Sequence, residues 1–299
     1  MIRIGVDLGG TKTEVVALGE GGEELLRRRV PTPRDDYQAV LRTIANLIRD
    51  TESALGQQGA IGVGAPGAIS RVTGLLRNSN SITLNGRPLL ADLRATLGRP
   101  LRMMNDANCF ALSEATDGAA AGAACVFGVI VGPGTGGGIV VNGQVLKGSN
   151  AIAGEWGHNP LPWPGCDELP GPPCYCGRKG CIETFLSGPG MSRDHQRVTG
   201  ESIEPAVIAW RAAAGAAACE DTLRRYEDRM ARSLAHVINL LDPDVIVLGG
   251  GMSNISRLYE TVPRLWLKYI FSDAVGTKLV PPQHGDSSGV RGAALLWDE

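Results

Sequence analysis

Hydrophobic and polar residues alternate at the start of the chain, as they do in half-buried β-strands. In residues 2–8 every second position is isoleucine, valine or leucine, which predicts a strand. Glycine turns separate it from apolar runs at residues 15–18 and 25–30, so an antiparallel meander of three strands is predicted. Residues 37–55 then repeat apolar side chains at helical spacing and predict a helix.

The second half of the chain repeats this order of elements. A β-rich run over residues 125–131 is followed by a glycine turn and a returning strand at 139–143. An amphipathic helix over residues 223–241 leads into a further strand at 244–248. Two meanders, each followed by a helix and a parallel strand, indicate an α/β protein with duplicated domains that face each other across a central cleft.

An Ala/Gly-rich stretch marks the predicted boundary between the domains. We expect an N-terminal α/β domain over residues 1–120, joined by a C-terminal helix over residues 288–299 that packs back on it. Residues 121–287 would form the C-terminal α/β domain, which carries a cysteine-rich segment.

Composition and charge exclude several classes of function. With 299 residues, 43% of them hydrophobic, the chain can bury a core in two domains. A net charge of -2 without a block of Lys and Arg argues against a nucleic-acid partner, and no apolar run has the length of a membrane span. The first strand begins at residue 2, which leaves no room for a signal peptide. Because an odd number of cysteines also fits a reducing compartment, we expect a cytoplasmic protein.

Three cysteines with glycines between them form the most informative segment of the chain. Cys174, Cys176 and Cys181 can converge on one point because the glycines let the backbone fold back. A tetrahedral Zn²⁺ needs a fourth ligand; His158 is the nearest candidate, and Cys166 is the alternative. Four protein ligands leave no open coordination position, so the predicted zinc is structural and would hold neighbouring carboxylates in place.

Glycine turns follow predicted strands at residues 7–12, 132–138 and 249–251. Glycines allow a phosphate to approach closely, and their N–H groups can point at the anion. A single such turn is equally compatible with an ordinary hairpin. None of the three is a Walker loop or a strand-to-helix dinucleotide turn. Two phosphate hairpins and a third loop for the base are what a nucleotide between two domains would require.

Asp106 precedes a predicted helix and has two interpretations. It can be a helix N-cap, which is a common role of aspartate at such a position. It can also be a general base that accepts a proton from a hydroxyl as the hydroxyl attacks a γ-phosphate. The residues alone leave both interpretations open. His195, by contrast, lacks ligand spacing and is expected on the surface.

Taken together, these motifs resemble those of the ROK sugar kinases (repressor, open reading frame, kinase). The resemblance covers nearly the whole chain, from residue 4 to about 294, and rests on the segments 7–12, 64–67, 105–108, 154–158 and 174–183. It implies the two-domain hexokinase/actin-like ATPase fold, which is ribonuclease H-like. It also implies a hexose kinase that uses ATP with Mg²⁺ and carries structural Zn²⁺; assembly as a homodimer is left open.

Within this family the chain looks most similar to bacterial fructokinases that also accept mannose, judging by residues 31–35, 159–163 and 181–185. The implied product is fructose 6-phosphate. Glucose or N-acetylglucosamine kinases of the same family are the alternatives, because the pocket residues are shared. A non-catalytic sugar-sensing zinc protein and a repressor relative are alternatives from other classes. A repressor would carry a DNA-binding segment before the first strand, which here begins at residue 2.

The resemblance implies a role for individual residues. Asp106 would be the general base on the terminal hydroxyl of the sugar. The sugar would be bound by Asn80, Asn105, Asp106, Glu155, His158 and Glu183. His158 would bind zinc through one nitrogen, beside Cys174, Cys176 and Cys181, and keep the other nitrogen free for sugar. The phosphates of ATP would lie against Asp7, Gly9, Gly10, Thr11, Lys12, Gly132, Pro133, Gly134, Thr135, Gly136, Gly137, Gly249 and Gly250.

One residue departs from the family pattern. The second phosphate loop of the family reads Gly-Thr-Gly, whereas here it reads Gly132-Pro133-Gly134. Proline removes a hydroxyl and an amide donor from the phosphate cradle. Thr135 would then supply the hydroxyl from a shifted position.

Overall fold

The computed structural model describes residues 1–297, except for the side chain of Asp286. The strands are β1 (Arg3–Leu8), β2 (Lys12–Leu18), β3 (Glu24–Pro31), β4 (Ala60–Ala65), β5 (Ala68–Ile69), β6 (Leu76–Arg77), β7 (Arg102–Asn105), β8 (Cys125–Val131), β9 (Thr135–Val141), β10 (Gln144–Val145), β11 (Val245–Gly249) and β12 (Lys278–Val280). The helices are α1 (Tyr37–Leu55), α2 (Leu89–Leu97), α3 (Asp106–Thr116), α4 (Ile182–Leu186), α5 (Gly188–Thr199), α6 (Pro205–Ala213), α7 (Ala217–Leu241), α8 (Leu258–Trp266) and α9 (Ser288–Leu295). The strands and helices that the hydrophobic pattern predicts are present at these positions.

The chain divides into two compact units. The first contains Met1–Gly118, Gly138–Ala153 and the segment from Asp286 onwards, and the second contains Ala119–Gly137 and Gly154–Gly285. The boundary therefore runs through β9. The segment Gly138–Ala153 belongs to the first unit, whereas the sequence-based domain ranges, which stay predictions, place it in the C-terminal domain.

The first unit is built on a mixed sheet with the strand order β3-β2-β1-β4-β7. The meander is confirmed, because β1 is antiparallel to β2 and β2 is antiparallel to β3. β4 runs parallel to β1 and β7 runs parallel to β4. The carboxyl ends of these three parallel strands therefore share one edge of the sheet, where Asp7 and Asn105 lie.

Helix α9 packs directly on this sheet, and glycines make the close approach possible. A Cβ built on Gly5 would lie 2.0 Å from the carbonyl oxygen of Val290, and one on Gly62 would lie 1.8 Å from that of Ala293. Real Cβ atoms are not found so close to backbone, so any side chain at these glycines would push the helix away. The sequence-based expectation of a final helix agrees with α9.

In the second unit β8 lies between β9 and β11, and β12 follows β11. β11 is parallel to β8 and to β12.

The long helix α7 buries an apolar face and also two arginines, Arg229 and Arg232. Both pair with the buried carboxylate of Glu168, at 2.7 and 2.8 Å. Hydrogen bonds from these guanidinium groups lower the pKa of Glu168 to about 2, although burial alone would raise it. The loop before the cysteine segment is thereby fixed to α7.

No helix within residues 1–297 combines the length and the apolar composition that a membrane crossing needs.

Candidate functional site

In the second unit, the four predicted zinc ligands come together. The ligand atoms of His158, Cys174, Cys176 and Cys181 all lie within 4.8 Å of one another. Nδ1 of His158 is 3.5 Å from Sγ of Cys174, and Sγ of Cys176 is 3.6 Å from Sγ of Cys181. Cys166 is exposed and lies outside this group.

The separations of 3.5 and 3.6 Å suit a tetrahedral ion. With Zn–S bonds of about 2.3 Å and Zn–N bonds of about 2.0 Å, two ligand atoms of a tetrahedral site are roughly 3.5–3.8 Å apart. Burial and the two neighbouring thiols raise the pKa of Cys181 to about 12. The thiol of Cys181 therefore resists ionisation by itself, and a bound dication would offset that cost. The residues present fit a structural zinc.

The second ring nitrogen of His158 has a hydrogen-bond partner that was not expected. The family resemblance leaves it free for sugar, but in the structure Nε2 of His158 is 2.9 Å from the hydroxyl of Tyr175. This nitrogen is therefore not free in the structure, and its contact with sugar stays a prediction in which a sugar hydroxyl would replace Tyr175. The sequence pattern carries no signal for Tyr175, because the residue lies between two of the ligands and its contact depends on how the loop folds.

Buried Trp156 holds the segment that carries Glu155 and His158. Its Nε1 donates to the carbonyl oxygen of Gly136 at 3.1 Å, and its ring meets the ring of Phe127 edge to face. The short helical turn of Trp156–His158 begins after Glu155. Glu155 and His158 are therefore positioned by β8 and β9.

Glu183 lies in the first turn of α4, which begins directly after Cys181. Its Oε2 accepts a 2.9 Å hydrogen bond from the backbone N–H of Thr135, in the glycine turn between β8 and β9. The family resemblance implies a sugar ligand at Glu183, and the glycine pattern predicts a phosphate turn that includes Thr135. Neither indicates that the two residues are bonded to each other.

In the first unit, Asp106 is the first residue of α3, and Asn105 is its N-cap. The side chains of both accept a hydrogen bond from the N–H of Ala107, at 2.9 Å from Asn105 and 2.8 Å from Asp106. The capping interpretation thus applies mainly to Asn105. The role of Asp106 as a base stays a prediction.

Asp7 is the second-last residue of β1 and lies near the start of α9, where a Cβ on Gly289 would lie 3.7 Å from its Oδ2. Burial, followed by the negative charges of Asp106 and Glu14, raises the pKa of Asp7 to about 7, although the positive charges of Lys12 and Arg29 lower it by a smaller amount. Asp106 is therefore close enough to influence the ionisation of Asp7.

The glycine turn after β1 is a hairpin. The N–H of Gly9 donates to the carbonyl oxygen of Lys12 at 3.0 Å, and the Thr32 hydroxyl donates to the carbonyl of Gly9 at 2.8 Å. Gly10 and Thr11 are exposed at its tip. Asn80 is exposed in a loop beside the hairpin, since a Cβ on Gly10 would lie 3.5 Å from the Ser81 hydroxyl.

The other two glycine turns lie in the second unit. Between β8 and β9, the N–H of Gly132 donates to the carbonyl oxygen of Gly134 at 2.9 Å, around Pro133. After β11, Gly250 has a positive φ of 80°, and its Cβ would lie 2.4 Å from the carbonyl oxygen of Val131, so glycine is required there. Gly249 and Gly250 therefore lie close to the end of β8.

The chain is similar to known sugar kinases. A profile of the ROK family matches residues 3–299. The N-acetyl-D-glucosamine kinase of Photobacterium profundum is 42% identical over 296 residues, which cover 98% of each chain. That of Vibrio cholerae serotype O1 is 41% identical with the same coverage.

The fold is similar to that of a solved ROK kinase. The ROK hexokinase from Thermus thermophilus has 31% sequence identity and a TM-score of 0.88, with 99% of this chain and 97% of that chain covered. The predicted fold class is confirmed: the chain has the α/β fold of the actin-like ATPase sugar kinases. It belongs to the ROK family and is an ATP-dependent sugar kinase.

Proposed function

We propose that this kinase transfers the γ-phosphoryl group of ATP to the terminal hydroxyl of N-acetylglucosamine. The observation that carries the proposal is the 42% identity, over nearly the full length of both chains, to a protein with that name. Fructose, which the sequence motifs favour, lacks such support, so N-acetylglucosamine moves from alternative to main proposal.

A cavity in the first unit supports a substrate with a bulky polar substituent. It has a volume of about 200 Å³ and is lined by Asn105 and Asn108 together with apolar groups such as Ile69 and Met104. Oδ1 of Asn108 is buried and has no hydrogen-bond partner among the described residues. If the Asn108 side chain turns towards the cavity, the N–H of an acetamido group can satisfy this oxygen, and its methyl group suits the apolar wall.

The residue roles follow the chemistry of phosphoryl transfer. We propose that Asp106 accepts the proton of the attacking hydroxyl, while the hydroxyl oxygen forms a bond to the γ-phosphorus and ADP leaves. The sugar would form hydrogen bonds with Asn80 and Asn105 of the first unit and with Glu155, His158 and Glu183 of the second. Transfer of this kind depends mainly on positioning and charge neutralisation.

The glycine turns are proposed to hold the nucleotide. In the first unit the phosphates would be bound by Asp7, Gly9, Gly10, Thr11 and Lys12. In the second unit they would be bound by Gly132–Gly137 and Gly249–Gly250. Mg²⁺, when bound, would neutralise phosphate charge. Pro133 lacks an N–H, and the N–H of Gly132 is bonded to the carbonyl oxygen of Gly134, so the donors of this turn would be the amides of Gly134 and Thr135 and the hydroxyl of Thr135.

A structural zinc is proposed at His158, Cys174, Cys176 and Cys181. Removal of one thiolate, as in Cys176→Ser, should release the metal and lower both sugar affinity and thermal stability, because the metal orders the segments that carry Glu155 and Glu183. Elemental analysis tests this: less than about half an equivalent of zinc in active protein, or normal sugar affinity in the variant, would contradict it. Cys219→Ser, at a buried cysteine outside the group, is the control.

A panel of hexoses in one coupled kinase assay tests the substrate. The expected order of kcat/KM has N-acetylglucosamine first, ahead of glucose, mannose and fructose. Asn108→Ala should lower kcat/KM for N-acetylglucosamine by more than it lowers kcat/KM for glucose. A preference for fructose would restore the motif-based assignment, and no turnover with any sugar would leave the non-catalytic sugar-sensing alternative.

A further inference from the structure

The glycine turn between β8 and β9 is already bonded to an anion, the carboxylate of Glu183. The backbone N–H of Thr135 donates to Oε2 of Glu183 at 2.9 Å. A Cβ built on Gly134 would lie 2.7 Å from the same oxygen, so the carboxylate lies directly against the turn. Glycine at this position is what permits the contact.

The turn is also bonded to the start of α5, the helix that follows α4. The N–H of Gly188, the first residue of α5, donates to the carbonyl oxygen of Gly132 at 2.8 Å. Glu183 and Gly188 therefore fix both ends of the turn, and both follow Cys181 closely along the chain. The position of the turn depends on the segment that the cysteine group orders.

Thr135 adds an unsatisfied polar group at the same place. The residue is only 6% exposed, and its hydroxyl has no hydrogen-bond partner among the described residues. The turn thus offers an N–H and a hydroxyl to an anion, which is the donor set of a phosphate site. In this structure the N–H of Thr135 is bonded to a carboxylate oxygen of Glu183.

We propose that Glu183 is an internal substitute for the nucleotide phosphate. Without sugar, its carboxylate occupies the N–H of Thr135 and repels an incoming phosphate. When sugar hydroxyls donate to Glu183, the carboxylate leaves the turn and the N–H becomes available to the phosphate of ATP. Glu183 is then a positioning residue that makes nucleotide binding depend on bound sugar, and this limits ATP hydrolysis without substrate.

The inference rests on the proposed assignment of sugar to Glu183 and of phosphate to the turn. It predicts positive coupling between the two ligands, which by linkage must be reciprocal. Coupling of about tenfold is expected, within the range typical of two interacting sites. The direction is specific: loss of the Glu183 charge should strengthen nucleotide binding in the absence of sugar.

The test is a calorimetric titration of the full chain with Mg-AMPPNP, a non-hydrolysable ATP analogue, with and without saturating N-acetylglucosamine. For the wild type, the Kd should fall about tenfold when sugar is present. In Glu183→Gln, whose neutral amide competes less for the N–H, the Kd without sugar should already be low, and sugar should change it little. Glu204→Gln, at an exposed glutamate before α6, should behave as the wild type.

Gly134→Ala provides a second variant, because its methyl group displaces the carboxylate without removing the charge. It too should weaken the dependence on sugar. The proposal is overturned if the wild-type Kd for the analogue is the same with and without sugar, or if Glu183→Gln binds it no better than the wild type without sugar. Turnover in the hexose panel with sugar-independent nucleotide binding would overturn this inference alone, whereas no turnover and no nucleotide binding would overturn the proposed function as well.

Discussion

Nε2 of His158 and the hydroxyl of Tyr175 lie 2.9 Å apart, and their rings meet edge to face at 87°. Nδ1 of the same histidine faces Cys174. A neutral imidazole that binds metal through Nδ1 carries its proton on Nε2, so the Tyr175 oxygen accepts the hydrogen bond. Although Tyr175 is 67% exposed, desolvation of its hydroxyl, followed by the charges of Glu183 and Glu155, raises its pKa and keeps the hydroxyl protonated. Tyr175 therefore fixes the tautomer of the proposed ligand.

Tyr175→Phe should weaken the proposed zinc site. The ring remains, but the acceptor for the Nε2 proton is lost, and such partners typically contribute about 10–100-fold in metal affinity. The rate of zinc transfer to a chromogenic chelator measures the effect, with Tyr269→Phe, which removes a hydroxyl that bonds Asp228, as control. Equal transfer rates in Tyr175→Phe and wild type would show that the hydroxyl does not orient the histidine.

Asp106→Asn should abolish turnover while sparing the fold. A positioned base contributes about 10²–10⁴-fold in rate, and an amide oxygen can still accept the hydrogen bond from Ala107. Asn105 stays in place as the cap of α3. Stopped-flow or coupled assays give the rate, and thermal unfolding gives the stability. A variant with near-normal kcat and a lower Tm would instead support a purely structural role for Asp106.

Asp7→Asn should stabilise the protein at high pH when nucleotide and Mg²⁺ are left out. Because the folded-state pKa of Asp7 is about 7 and its ordinary value is 3.8, the folded protein holds a proton that the unfolded chain has already released at intermediate pH. This contribution to stability is complete below pH 3.8 and is lost as the pH rises through 7. Asparagine does not ionise, so the variant avoids the loss.

The difference in unfolding free energy between Asp7→Asn and wild type should therefore grow from about pH 4 and level off above about pH 7, at no more than about 4 kcal/mol. Urea unfolding without nucleotide or Mg²⁺ at several pH values measures it. Asp35→Asn, at an exposed aspartate, is the control and should show no such trend. A difference that does not depend on pH would contradict the raised pKa.

Gly62→Ala should severely destabilise the first unit. The added methyl would lie 1.8 Å from the carbonyl oxygen of Ala293, and forcing atoms into a packed interior costs about 1–3 kcal/mol or more. Gly276→Ala is the matched control, because a Cβ there meets nothing within 4 Å. Comparable urea midpoints for the two variants would show that α9 can move away without loss.

Local patterns in the sequence predicted much of the fold. The period of two in β1 and the helical spacing in α1 depend on neighbouring residues, and both elements occur where expected. The cysteine group was also predictable, since three of its four ligands lie in one short segment. The position of His195 was not predictable in this way. The residue is 1% exposed, and its Nδ1 lies 2.9 Å from the Thr222 hydroxyl, so the prediction that it lies on the surface is wrong. Its burial depends on how α5 packs against α7.

The hexose was the least predictable part of the site. Asn105 and Asp106 belong to motifs that many sugar kinases share, so they indicate a hydroxyl acceptor without identifying it. The cavity beside Asn105 is formed by residues from β5, β7, α3 and the segment after β10. No single segment of the sequence shows that these residues enclose a space.

The packing of α9 on Gly5 and Gly62 has a consequence for biosynthesis. The strands of the first sheet leave the ribosome early, but the helix that covers β1 and β4 is translated only after the whole second unit. Until then, the apolar face of that sheet stays uncovered and is a natural binding site for a chaperone. The second unit, whose chain lies largely between these two parts, can be completed first. We therefore expect nascent chains to acquire protease resistance in the second unit before the first.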